Sequence, residues 1–261
     1  MTRLLSIIAA IMIALLPALA RAGSSEATAP ILPAAQVTAF AAQVERELAD
    51  RGAHVAIVAR TGRDPDVLPD GIDYTHVAYW VYSHNTRADG STFYGYRVYN
   101  LYQDNERLTR SRLVQDTPAD FFAGAWKLDA GIIVPDRRLQ EKILKVIASP
   151  TYARLHNANY SVLANPRTAQ FQNCTEHTLD VLMAGLYGTS DRTQIKANIA
   201  AYFEPQTVKI DGLKRMLAPV ASGALTTSDH GRVVGTATFG SIARFMQKND
   251  LADAVIRLTP R

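Results

Sequence analysis

The chain has 261 residues, of which 48% are apolar and 20% charged, with a formal charge of +4. That apolar share suffices for one packed core, and a small, scattered positive surplus excludes a protein that works by neutralising nucleic-acid phosphates. A single cysteine excludes an intramolecular disulfide and a multi-thiolate metal site.

The chain starts as an exported protein starts. A short positive segment, Met1-Thr-Arg3, precedes the apolar run LLSIIAAIMIALLPALA, and Ala20-Arg21-Ala22 supplies the small-x-small pattern of a cleavage site. The alternative is an uncleaved anchor; Pro17 near the end of the run and the small-residue exit favour cleavage before Gly23. Residues 1–22 therefore read as a signal peptide, leaving no stable membrane span, and the mature protein is expected to be periplasmic or secreted. Cleavage removes Arg3 and Arg21 and lowers the formal charge by two. In an oxidising compartment an unpaired thiol is at risk, so one that persists is either buried or useful.

Residues 23–34 (GSSEATAPILPA) read as a flexible leader. Val37, Phe40, Val44 and Leu48 mark an amphipathic helix over 35–50, and AHVAIVA at 53–59 a buried strand. Residues 74–83 (YTHVAYWVYS) and 92–102 (TFYGYRVYNLY), separated by turn-rich NTRADGS, predict a hairpin. A turn centred near Ala88 sets His76 opposite Asn100. His76, Ala78, Trp80 and Tyr82 then share a face with Tyr94, Tyr96, Val98, Asn100 and Tyr102. Downstream, Thr117 opens a short helix, 131–134 is a brief strand, and Leu139, Ile143 and Ile147 stripe a helix over 136–148. Residues 159–163 read as extended, Ser190 caps a helix to Phe203, 212–217 reads as helical, 232–238 as a strand, 241–248 as a helix and 254–258 as a closing strand.

Between these lies QFQNCTEHTLDVLMAGLYG, residues 170–188. Asn173 is a good N-cap with Glu176 three positions on, as in a capping box. Leu179, Leu182, Met183 and Leu186 form a core-facing stripe, and Gly188 is a natural C-cap. Cys174 thus occupies the first helical turn, where free N–H groups and the helix dipole favour a thiolate. A nucleophilic thiol needs a base and the base an orienting group. Among the six histidines, His76 on the Tyr/Val strand with Asn100 across the hairpin best fits that geometry. His177, one turn after Cys174, suits a neighbour better than a base. His54, His84, His156 and His230 are assigned to solvent or local hydrogen bonds. HExxH, CxxC, G-x-S-x-G and Walker or dinucleotide glycine patterns are absent from the sequence, so neither a metal nor a cofactor is expected.

The order strand His, polar residue on the next strand, then Cys at a helix start resembles the circularly permuted branch of the papain-like NlpC-type fold, which includes lecithin:retinol acyltransferase relatives and YiiX-like bacterial proteins. Tyr74-Thr-His76-Val-Ala-Tyr carries the likeness on the strand and Phe171-Gln-Asn-Cys174-Thr-Glu176 on the helix, and an exported bacterial family of that type is suspected. The resemblance implies an α+β fold: a papain-like antiparallel sheet, a packed Cys-bearing helix and a C-terminal α/β extension. The likeness covers roughly residues 53–188; the mature chain is expected to divide into a core over 35–188 and an extension over 189–261, without counterpart in the minimal fold, that packs on the core and walls the cleft or covers one edge of the sheet. The resemblance implies Cys174 as nucleophile and His76 as base; Asn100 is the orienting residue by hairpin geometry. Tyr74, Asn173, Glu176 and His177, in or beside the two motifs, are expected to line the site. The expected activity is hydrolysis or acyl transfer on an amide or ester of the cell envelope, cell-wall peptide foremost. The alternative is an envelope-accessory binding protein that keeps the fold without turnover.

Overall fold

The computed structural model describes residues 25–27, 31–87, 89–209 and 223–261. The signal segment expected over 1–22 and the helix expected at 212–217 lie outside the described residues. No helix among the described residues is long and apolar enough to cross a membrane.

The fold is α+β, built on a six-stranded antiparallel sheet in the order β4-β3-β2-β1-β5-β8. The central strand β1 (Val55–Arg60) is buried at every position. Its uninterrupted apolar run follows from cover on both faces. It pairs with β2 (His76–Thr86) on one side and β5 (Ala130–Pro135) on the other. β3 (Thr92–Gln103) continues the hairpin, and β4 (Ser111–Asp116) forms that edge. The sequence pattern did not disclose β4: only its two end residues, Ser111 and Asp116, are buried, so SRLVQD lacks an apolar alternation.

Helices cover both faces. On one, α1 (Ala34–Asp50) and α2 (Pro118–Ala123) bury Phe40, Val44, Phe121 and Phe122 against Val58, Ala78, Trp80 and Val98. On the other lie α3 (Arg137–Ile147), α4 (Pro150–Arg154), α5 (Cys174–Tyr187), α6 (Arg192–Tyr202) and α7 (Phe239–Lys248). There Ile143, Leu182, Ile199 and Met246 pack with Ile57, Val77, Tyr79 and Ile133. A small pair, β6 (Gln206–Val208) with β7 (Val234–Thr236), stands apart from the main sheet. Of the extended piece read at 159–163, only the bridges of Asn159 and Tyr160 form. The expected strand at 232–238 shortens to β7, and the helix expected from Ser190 is capped instead by Asp191, whose carboxylate accepts from the Thr193 N–H.

One further expectation is corrected. β2 and β3 pair as Tyr79↔Tyr99 and Trp80↔Val98, so the turn lies one position later than the symmetric placement and the partners shift by two. An even shift keeps every side chain on its face, and the His76–Asn100–Tyr102 face survives. The leader is tied down where it is described: Ser25 bridges Gln103, and Glu26 pairs with Arg112. The 189–261 segment supplies β8 (Ala252–Leu258), which pairs along β5 at the sheet edge, and α6 and α7, which share the core of α5.

Candidate active site

α5 forms where the sequence placed it. The Asn173 side chain accepts from the Glu176 N–H at 2.9 Å, and Gly188 ends the helix with φ 65°, a left-handed position that suits glycine. The other half of the capping box is not made. The Glu176 carboxylate turns to Lys196 Nζ at 2.5 Å, because a buried ammonium outcompetes a backbone donor. Cys174 is the first helical residue and is buried, 4% exposed.

The thiol sits where the hairpin opens. Pairing of β2 with β3 begins at Tyr79↔Tyr99, so the first residues of β2 have no β3 neighbour in the ladder. Cys174 Sγ lies there, 4.0 Å from the Thr75 carbonyl oxygen and within reach of the Val77 N–H, the backbone groups on either side of His76. Burial pushes the thiol up to about 11, against the pull of the Val77 and Thr175 N–H groups and the Arg60 charge. At neutral pH it is therefore a protonated thiol.

His76 is fully buried, and its ring stacks on Tyr102 at 4.9 Å with Phe121 at 5.4 Å. A chain of hydrogen bonds fixes its tautomer. The Asp116 carboxylate accepts from Tyr102 Oη at 2.6 Å and from Asn100 Nδ2 at 3.1 Å. Asn100 Nδ2 is thereby committed as the donor to Asp116, so Oδ1 is the atom that faces His76 Nε2, 2.9 Å away. Nε2 must carry the proton, and Nδ1 keeps its lone pair. Nδ1 is buried and has no hydrogen-bond partner. Burial, followed by the Arg60 charge, holds the imidazole well below its usual range, hence neutral. A bare, neutral ring nitrogen is the atom a general base requires.

The structure thus joins His76 to Asn100 and sets Cys174 against the backbone around His76, without a hydrogen bond between thiol and Nδ1. The imidazole packs toward Phe121 of α2, whereas the buried neighbours of the thiol are Leu101, Tyr160 and Ala224.

The four residues expected to line the site fall differently. Asn173 is committed to its cap and to the Val162 carbonyl at 2.9 Å. Glu176 and Asp180 share Lys196 in the core, and burial raises Glu176 to about 8. His177 lies in the same region, 4.9 Å from the Tyr152 ring, with neither ring nitrogen partnered, and burial lowers it to about 3. Tyr74 alone borders open space. Its hydroxyl donates to Asp129 at 3.2 Å, and its ring meets Phe239 edge-on over Gly131, where a Cβ would lie 2.7 Å from both rings. Beside it a cavity of about 330 Å³ is lined by Ile72, Tyr74, Phe239, Val255, Ile256 and Arg257. Thr75 and Ala237, the chain neighbours of the lining residues Tyr74 and Thr238, touch the first turn of α5, through Cys174 Sγ and through the Thr175 hydroxyl at 2.7 Å.

Sequence reasoning missed Asp116 and Arg60. Asp116 ends a strand whose pattern is mute, and its role exists only once β3 and β4 pair. Arg60 left a faint signal, a charge closing the apolar run AHVAIVAR. Among the described residues no group of three or more His, Cys, Asp and Glu side chains could hold a metal ion.

A profile for the family described as "Uncharacterized protein conserved in bacteria (DUF2145)" matches residues 47–246, which include Arg60, His76, Asn100, Asp116 and Cys174. No curated protein and no solved structure matches the chain.

Proposed function

The chain belongs to the DUF2145 family of bacterial proteins, and from its site we propose an exported thiol hydrolase or acyl-transfer enzyme that acts on an amide or ester of the cell envelope, with a permuted NlpC-type papain-like fold. The observation that carries this reading is the Asp116–Asn100–His76 chain, which leaves Nδ1 bare, while Cys174 on the first turn of α5 reaches the backbone on either side of His76.

In the proposed reaction the thiol turns from Thr75 and Val77 toward Nδ1 and passes its proton there. The sulfur attacks the substrate carbonyl, the S–C bond forms, and the carbonyl π pair moves to oxygen. The N–H groups of Cys174 and Thr175, which already face the sulfur, are the donors available to that oxyanion. Collapse expels the amine or alcohol, which takes the proton from Nδ1. Water or a second acceptor then releases the acyl group. The cavity beside Tyr74 offers an amphipathic wall for a peptide or acyl substituent.

The non-catalytic reading has one observation in its favour: a buried thiol held near 11 and out of contact with the imidazole. The experiment that separates the two is incubation of mature protein with a muropeptide mixture and with a lipid extract, alongside Cys174→Ala. Turnover of either pool by wild type alone is expected. Identical product profiles from both proteins remove the enzyme reading.

A further inference from the structure

Arg60 is fully buried at the end of β1 and lies directly across the ladder from His76. Its hydrogen bonds go to carbonyl oxygens: Nη1 to Phe121 and Nη2 to Ser25 at 3.0 Å. Nε is buried without a partner. Among the described residues it forms no ion pair. The carboxylate that acts on its charge, Asp116, is occupied by Tyr102 and Asn100. A buried charge without a contact counter-ion costs several kcal/mol, which packing alone does not offset. The fold nevertheless makes room for it: a Cβ at Gly124 would lie 2.3 Å from Nη1, so glycine there leaves the guanidinium its place. Phe121 and Tyr102 present ring faces to it at 5.3 Å and 5.9 Å.

We propose that Arg60 is a positioning residue for the Cys174–His76 pair: a fixed, unpaired cation that keeps His76 in its basic form and faces the negative charge that develops at the sulfur. This deepens the thiol-enzyme reading and rests on it. The charged and titratable groups around Arg60 are His76 on β2, Tyr102 on β3, Asp116 at the end of β4, Cys174 on α5, and, through Asp116, Asp120 on α2 and Glu26 in the leader. The guanidinium acts on both partners in one direction, holding the imidazole and the thiol each lower than burial and hydrogen bonding alone would set them. Its loss therefore raises both. His76 then becomes protonated, and useless as a base, at a pH where the wild-type ring is free.

The test reads the His76 imidazole by NMR titration and the Cys174 alkylation rate with iodoacetamide, in wild type, Arg60→Gln, Arg60→Lys and Gly124→Ala. Arg60→Gln is expected to raise the His76 midpoint by about one pH unit or more and to slow alkylation at pH 6 by about tenfold. Arg60→Lys keeps the charge and stays within about threefold of wild type. Gly124→Ala, which crowds the guanidinium from behind, moves the midpoint the same way as Arg60→Gln and by less. It carries the test if Arg60→Gln does not fold. A His76 midpoint unmoved in both neutralised and crowded variants overturns the proposal. The titration needs no turnover, so a Cys174 that is inert in every protein would sink the enzyme reading while the His76 midpoint still decides the role of Arg60.

Discussion

His76 is defined by what its neighbours cannot do. Asp116 accepts from Asn100, Asn100 must then present its oxygen, and the imidazole must carry its proton on Nε2. Imidazole 15N shifts are expected to report the Nε2–H tautomer for His76 in wild type and a mixed or Nδ1–H state in Asn100→Ala. A wild-type Nδ1–H signal would contradict the chain as described. Part of this was legible: His76 and Asn100 share a hairpin face because side chains alternate, and that alternation survives a register error of two. Asp116 and Arg60 were not, since their roles arise from β3–β4 pairing and from the space above Gly124, neither of which has a local signature.

The α5 element shows which sequence signals hold and why. Apolar spacing, Asn173 and Gly188 fix the helix because they act within it, and Gly188 at φ 65° ends it. Gly188→Ala is expected to cost about 1 kcal/mol in denaturant unfolding, with no change in Cys174 reactivity. On the polar face of α5, Glu176 and Asp180 are drawn into the core by Lys196, which comes from α6 and so left no signal within the α5 segment. Two buried carboxyls against one ammonium retain a proton, and burial raises Glu176 to about 8 from its ordinary value of 4.5. Its protonated form belongs to the folded state, so the stability it contributes is complete below pH 4.5 and is lost as pH rises toward 8. Buried neutral His76 and His177 work in the opposite sense, adding stability as pH rises through the ordinary histidine range. Glu176→Gln is therefore expected to flatten the decline in melting temperature between pH 7 and 8, whereas an unchanged slope would remove Glu176 as its source. Lys196→Met, which leaves two carboxyls unpaired, is expected to cost about 3–5 kcal/mol near neutral pH.

At the scale of the molecule, the last strand completes the sheet that carries the site. β8 covers Ile132, Ile133 and Val134 of β5, and Gln43 of α1 clasps the chain end through the Thr259 carbonyl at 2.9 Å. Deleting residues 251–261 uncovers an apolar strand next to β1, so the truncated chain is expected to aggregate and lose its cooperative melting transition. A truncated protein that melts like the full chain would contradict that role for β8. The sequence showed the strand itself in AVIRL but not its partner, because β8 returns to β5 across more than a hundred residues.

The central claim is that Cys174 is a nucleophile served by His76. The most direct measurement is the second-order rate of Cys174 alkylation by iodoacetamide between pH 6 and 8 in wild type and in His76→Ala. If His76 serves as a neutral base for a thiol held near 11, the wild-type rate is expected to be almost independent of pH across that range. The rate at pH 7 is then expected to be about 100-fold above that of His76→Ala, whose unassisted thiol gains about tenfold per pH unit. Two superimposed curves, each climbing tenfold per unit, would show a buried cysteine that His76 does not serve.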